Sequence, residues 1–222
     1  MDLSKSYEFF QPEMCTDRIH IIGCGSVGST VAELLARFGL TRISLWDFDT
    51  VSPHNLANQM FFTEDINRPK VDAVADMLHR INPDMELKLY PQGWNGQKLS
   101  GYVFLCVDNI DLRREIVKQN FANTNVKAMF DFRTRLTDAQ HYAADWMDPK
   151  HKQVFLESMN FTHEEAMADT PMSACHVTLS VAPTVRMICN VGVTNFINFV
   201  KDRKLHKMII VDAFDFTVDA IG

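Results

Sequence analysis

Two hydrophobic periods alternate along this chain. The run "RIHIIG", Arg18 to Gly23, is short, rich in β-branched residues and stopped by glycine, which predicts a buried strand. After it, Val27, Val31, Leu34, Leu35 and Phe38 recur at helical spacing and form one apolar stripe. Gly39 falls where a left-handed helix cap belongs. "RISLWDFD" predicts a second strand, and Val71, Val74, Leu78 and Ile81 predict a helix over 70–81, stopped at Asn82-Pro83. "MELKLY", "GYVFLCVD" and "KAMFDFR" predict further strands, with "IDLRREIVKQNF" as the helix between the last two. A late helix from about 182 to 200 carries Val185, Ile188, Phe196 and Phe199, and "KMIIVDAFDF" closes the chain as a strand.

Strands alternating with helices of this length predict an α/β fold: a Rossmann-like, mostly parallel sheet with helices on both faces, plus a C-terminal helix and strand. At 222 residues the chain is read as one domain, 1–222. Residues 1–17 form an N-terminal loose or docking segment, and the polar stretch 150–174 reads as a mobile crossover. No basic region precedes a long apolar run, and no apolar stretch reaches the roughly 18 residues of a membrane helix. The net charge of −6 argues against a nucleic-acid surface, so neither nucleic acid nor membrane is expected as a partner. Five widely spaced cysteines fit a reducing cytoplasm and offer no four-cysteine zinc site.

The loop "GCGSVG" sits between strand and helix. There Gly23 permits a tight turn, Gly25 lets backbone approach a phosphate, and Gly28 lets helix pack on strand. Asp47 follows roughly 20 residues later, where an acid takes two hydrogen bonds from a ribose. This much fits a dinucleotide or a triphosphate equally. The segment beyond it separates them. Attack on an ATP α-phosphate needs charge neutralised along the triphosphate, magnesium held and pyrophosphate stabilised as it leaves. Asp47, Asp49 and Asp108 lie at C-terminal strand ends, which converge on one crevice in an open parallel sheet. Lys70 opens a helix as a point charge for phosphate oxygens, while Asn55 and Gln59 either bond phosphate or hold the loop. Asp108 either carries Mg²⁺ or caps the following helix, and His54 reads as a turn residue.

Together, "GCGSVGSTVAELLARFGL", "ISLWDFDTVSPHNLANQMF", "DINRPKVDAVADML" and "FLCVDN" resemble the ThiF/MoeB/HesA family, the prokaryotic relatives of ubiquitin-activating enzymes, in its compact stand-alone branch. The resemblance covers Arg18 to Asn109 and returns at "SACHVTLSVAPTVRMICNVGVTNFINFV". It implies ATP-dependent adenylation of the C-terminal glycine of a ubiquitin-like or sulfur-carrier protein, usually by a homodimer. It assigns Gly23, Gly25 and Gly28 to the phosphate loop and Asp47 to the ribose. Asn55, Gln59 and Lys70 would contact the triphosphate, and Asp108 magnesium and phosphates.

Three departures stand out. Asn58 occupies the place of the family arginine that stabilises transition-state charge, which makes Arg133, Arg135 and Arg68 candidate substitutes. The paired CxxC motifs are missing, so no structural zinc is expected. The chain is short, without room for a rhodanese, a catalytic-cysteine domain or a ubiquitin-fold domain, so any carrier is expected to come in trans. Cys175, beside His176, matches the family cysteine that accepts the acyl group; its alternative is a small packing residue. Cys24, Cys106 and Cys189 read as loop or core residues, and Phe9, Phe10 and Phe61 as a nucleotide cover or a dimer seam. Two other readings remain open: a non-catalytic scaffold that binds nucleotide or carrier, and an NAD-dependent oxidoreductase using Asp47.

Overall fold

The computed structural model describes residues 1–168 and 179–222. Its strands are β1 (Ile19–Ile22), β2 (Ile43–Trp46), β3 (Lys88–Tyr90), β4 (Gly101–Leu105), β5 (Val126–Thr134), β6 (Asp138–Asp145), β7 (Met208–Asp212) and β8 (Thr217–Ile221). They form one sheet in the order β3-β2-β1-β4-β5-β6-β7-β8. The first five strands in that order pair in parallel, and the last three extend the sheet antiparallel from β5.

The helices are α1 (Ser26–Arg37), α2 (Lys70–Ile81), α3 (Ile110–Gln119), α4 (Pro149–Glu157), α5 (His163–Ala168) and α6 (Ala182–Asp202). One face of the sheet, through Ile21, Leu45, Phe104 and Phe130, packs on Val31, Val74 and Phe196 of α1, α2 and α6. The other, through Ile22, Val103, Leu105 and Met129, packs on Ile116 and Phe155 of α3 and α4. The period-2 side-chain alternation of the strands thus feeds two cores. The strand order reverses between β1 and β4, so a crevice opens beyond their C-terminal ends.

Three segments differ from the sequence reading. Residues 150–168 of the polar stretch read as a crossover are folded: α4, which starts at Pro149, and α5 form there, anchored by buried Phe155 and Met159. The single closing strand is a hairpin, because β7 ends at Asp212 and the chain turns back as β8. Strand β6, absent from the sequence reading, alternates small buried residues (Ala139, Ala143) with polar ones. The N-terminal segment docks: Phe10 is buried and meets Phe38 edge-to-face, with ring centroids 5.8 Å apart. Phe10 and Phe61 belong to the core rather than to a nucleotide cover, while Phe9 lies exposed beneath the Lys201 ammonium.

Candidate active site

The glycine loop begins where β1 ends. Gly23 has φ +95°, and a Cβ there would stand 2.7 Å from the Val107 nitrogen, so turn and close approach both require glycine. A Cβ on Gly28 would stand 1.8 Å from the Gly23 carbonyl oxygen. Gly25 is different, since its nearest neighbour would be Gln59 Oε1 at 4.0 Å, and otherwise the space is open. Gly25 is also the N-cap of α1, which has no side-chain cap. The first N–H groups of that helix are therefore left without a side-chain cap, next to that open space.

Asp47 closes one side. Its Oδ2 accepts from the Cys24 N–H at 2.6 Å and its Oδ1 from the Asp49 N–H at 2.8 Å. Burial pushes its carboxyl pKa up, against the pull of those two amides and the Lys70 charge. The following loop is zipped to the start of α2: the Lys70 N–H donates to the Asp49 carbonyl and the Val51 N–H to the Arg68 carbonyl, each at 2.9 Å. Lys70, only 7% exposed, thereby sits beside the glycine loop and donates through Nζ to Asp49 Oδ2 at 2.8 Å.

Asn55 is buried, and its Oδ1 accepts from the Ser52 N–H at 2.8 Å, so this side chain holds the loop. Gln59 Oε1 is buried with no hydrogen-bond partner among the described residues. A half-turn of the carboxamide would present its N–H₂ in the same place. Ser29 of α1 pins the neighbouring backbone by accepting the Met60 N–H at 3.2 Å. Asn58 is half-buried, and His54 is exposed in the short 3₁₀ turn Pro53–Ala57.

Asp108 follows β4 on the other side. It does not cap α3; Asn109 does, accepting from the Leu112 N–H at 3.0 Å. Asp108 is exposed and has no hydrogen-bond or ion-pair partner among the described residues. It lines a cleft of about 450 Å³ together with Arg113, Arg133, Arg135, Tyr142 and Phe161.

The candidate arginines separate clearly. Arg133 donates to Asp131 Oδ2 at 2.7 Å, to the Ser158 carbonyl at 2.7 Å and to Ser158 Oγ at 2.8 Å, and lies over the Tyr142 ring. Arg68 pairs with Asp65 and Asp76 and lines a separate groove on α2. Arg135 is exposed at the cleft rim, with no side-chain partner among the described residues. Arg113 also lines this cleft and pairs with Asp131, although neither sits at a motif position. The available signal was an acid inside the apolar strand "AMFDF" with an arginine two residues on, on the same strand face. Cys175 lies outside the described residues. Cys24 and Cys189 are buried, with thiol pKa values raised by burial, and Cys106 is half-buried against the core.

The ThiF family model matches residues 5–221. The chain belongs to the ThiF family. Among the relatives of this ThiF-family chain is ubiquitin-like modifier-activating enzyme 5 of Oryza sativa subsp. japonica, 45% identical over 73 residues, 32% of this chain and 17% of that protein. Molybdopterin-synthase adenylyltransferase of Haemophilus influenzae is 30% identical over 123 residues, 52% of this chain and 51% of that protein. Sulfur carrier protein ThiS adenylyltransferase of Escherichia coli is 35% identical over 113 residues, 48% of this chain and 45% of that protein. The matched regions span from 17% to 51% of these relatives' lengths. In structure the chain is similar to PaaA, with TM-score 0.71 and 16% identity over 99% of this chain and 68% of that one. It is also similar to E. coli MccB crystallised with ATP, with TM-score 0.68 and 16% identity over 95% of this chain and 65% of that one. At such identities the likeness is one of fold.

Proposed function

We propose that this chain adenylates the C-terminal glycine carboxylate of a ubiquitin-like or sulfur-carrier protein, with ATP as co-substrate and pyrophosphate as the leaving group. The observation that carries this reading is the cradle at Gly25: open space, an uncapped helix end, a buried Gln59 carboxamide oxygen with no partner among the described residues, and a lysine beside the loop. These groups suit a multiply charged phosphate chain. A hydride-transfer site has no comparable use for the lysine and the carboxamide. The relatives named as adenylyltransferases support the same reaction class.

In this reading Asp47 takes the ribose hydroxyls, and the amides at the start of α1 take the phosphates. Lys70 exchanges Asp49 for a phosphate oxygen, Gln59 and Asn58 complete the phosphate contacts, and Asn55 keeps the loop in place. Asp108 is the carboxylate that would hold magnesium, an ion usually bound by one or two carboxylates, phosphates and water. When bound, magnesium neutralises phosphate charge. The carrier's tail enters along the cleft from Arg135 toward Asp108. Its carboxylate oxygen forms a bond to the α-phosphorus while the bond to the β-phosphate bridging oxygen breaks, so positioning and charge stabilisation do most of the work. Arg135 supplies the positive charge that Asn58 lacks, and Arg133 shapes the wall. Acyl transfer to Cys175, a cytoplasmic setting and a homodimer belong to the same proposal; sedimentation checks the last.

ATP–pyrophosphate exchange tests it. Small β-grasp proteins ending in glycine should support exchange, and the same proteins lacking that glycine should not. A second reading, a non-catalytic nucleotide- or carrier-binding scaffold, draws on one observation: Arg68 and Arg133 are both committed to acids elsewhere. ATP binding without exchange, under every such carrier, would favour it.

A further inference from the structure

Among the described residues Asp108 has no hydrogen-bond or ion-pair partner to fix it, so its position is inherited from the peptide units on either side. Asn109 caps α3 on one side. On the other side, the Val107 carbonyl accepts from Arg113 through Nε at 2.7 Å and again through Nη2. The same guanidinium donates through Nη1 to Asp131 Oδ1 and to the Phe132 carbonyl, each at 2.7 Å. Val107 is also hemmed in from behind by Gly23.

Asp131 is fully buried, and Arg133 occupies its second oxygen at 2.7 Å. Its backbone carbonyl lies 3.1 Å from His141 Nδ1, while His141 Nε2 lies 3.3 Å from Asn195 Nδ2 of α6. Strand β5 is therefore gripped on both faces at this residue. Burial disfavours the carboxylate here, but the two guanidiniums overcome that and hold its pKa below the usual range.

We propose that Asp131 is a positioning residue for the reaction: acting through Arg113 on the Val107 carbonyl, it fixes the metal-bearing carboxylate of Asp108. The inference rests on the reading of Asp108 given above. A buried carboxylate that serves only the core has no need of a guanidinium whose other edge grips the peptide unit just before a site residue. Supporting groups of this kind typically control metal affinity by about 10- to 100-fold.

The test is calorimetric titration of the full chain with ATP, with and without Mg²⁺, using Asp131→Asn, Arg113→Lys and Asp108→Asn. Arg113→Lys keeps a positive partner for Asp131 but cannot reach Asp131, Phe132 and Val107 at once, so it separates positioning from folding. Thermal melts establish that each variant is folded. Asp131→Asn and Arg113→Lys should each cut the magnesium enhancement of ATP affinity by about tenfold or more, leaving metal-free ATP binding within about twofold. Excess Mg²⁺ should restore the loss. Folded Arg113→Lys with wild-type magnesium enhancement would overturn the inference, as would equal loss of metal-free and magnesium-supported binding. If Asp108→Asn itself keeps the full enhancement, the reading of the site fails instead.

Discussion

The three glycines of the loop serve different physical ends, and substitution separates them. A methyl on Gly28 collides with the Gly23 carbonyl oxygen, a backbone atom that cannot swing aside. Gly28→Ala should cost about 2–3 kcal/mol of stability in denaturant unfolding. Gly25→Ala meets only Gln59 Oε1, at 4.0 Å, among the described residues and should leave stability within about 0.5 kcal/mol. On the proposed reading it should nonetheless weaken ATP binding by about tenfold, because the methyl would fill the space in which amides would meet a charged phosphate. The gathering of the glycines, Asp47, Lys70 and Gln59 around one loop was legible because each sits at a motif spacing that strand–loop–helix geometry converts into proximity. Asp131 and Arg113 were not, because their pairing joins β5 to α3 and depends on sheet register rather than on spacing.

At the scale of elements, long periodic segments announced themselves: α1, α2 and α6 carry stripes that four or five apolar residues make unambiguous. The failures came where an element rests on few anchors. Helix α4 has Phe155 as its buried residue, in a run otherwise polar enough to pass for a loop. That ring meets Trp146 edge-to-face, with centroids 6.0 Å apart. Phe155→Ala should therefore cost about 3–5 kcal/mol. Hydrogen exchange should show α4 amides losing protection before those of β4 and β5. Strand β6 escaped because its buried face is built of alanines and His141, residues too small or too polar to register as a hydrophobic alternation. The closing hairpin escaped because β8 is exposed along its length and carries no buried face at all.

At the scale of the whole molecule, two buried histidines among the described residues make stability respond to acid. His20 accepts a hydrogen bond from Trp46 Nε1 at 3.2 Å, and His141 lies between Phe130, Phe132 and Asn195. Burial pushes the pKa of each down to about 4, from an ordinary value of 6.5. Between these values the unfolded chain binds protons that the folded chain refuses. Stability present above pH 6.5 is accordingly lost as pH falls toward 4, on the order of 3 kcal/mol per histidine. Denaturant midpoints measured at pH 7 and pH 5 should differ in that direction, and replacing His141 with glutamine should flatten the dependence.

The central claim is that the crevice between β1 and β4 is built for a metal-bound triphosphate. Calorimetric titration of the intact chain with ATP and Mg²⁺, in parallel with NAD⁺, tests it most directly, repeated on Lys70→Ala. The account predicts a single ATP site per chain, weakened by about tenfold or more when Lys70 loses its ammonium, and markedly weaker NAD⁺ binding. Tighter binding of NAD⁺ than of ATP, or ATP affinity indifferent to Lys70, would contradict it.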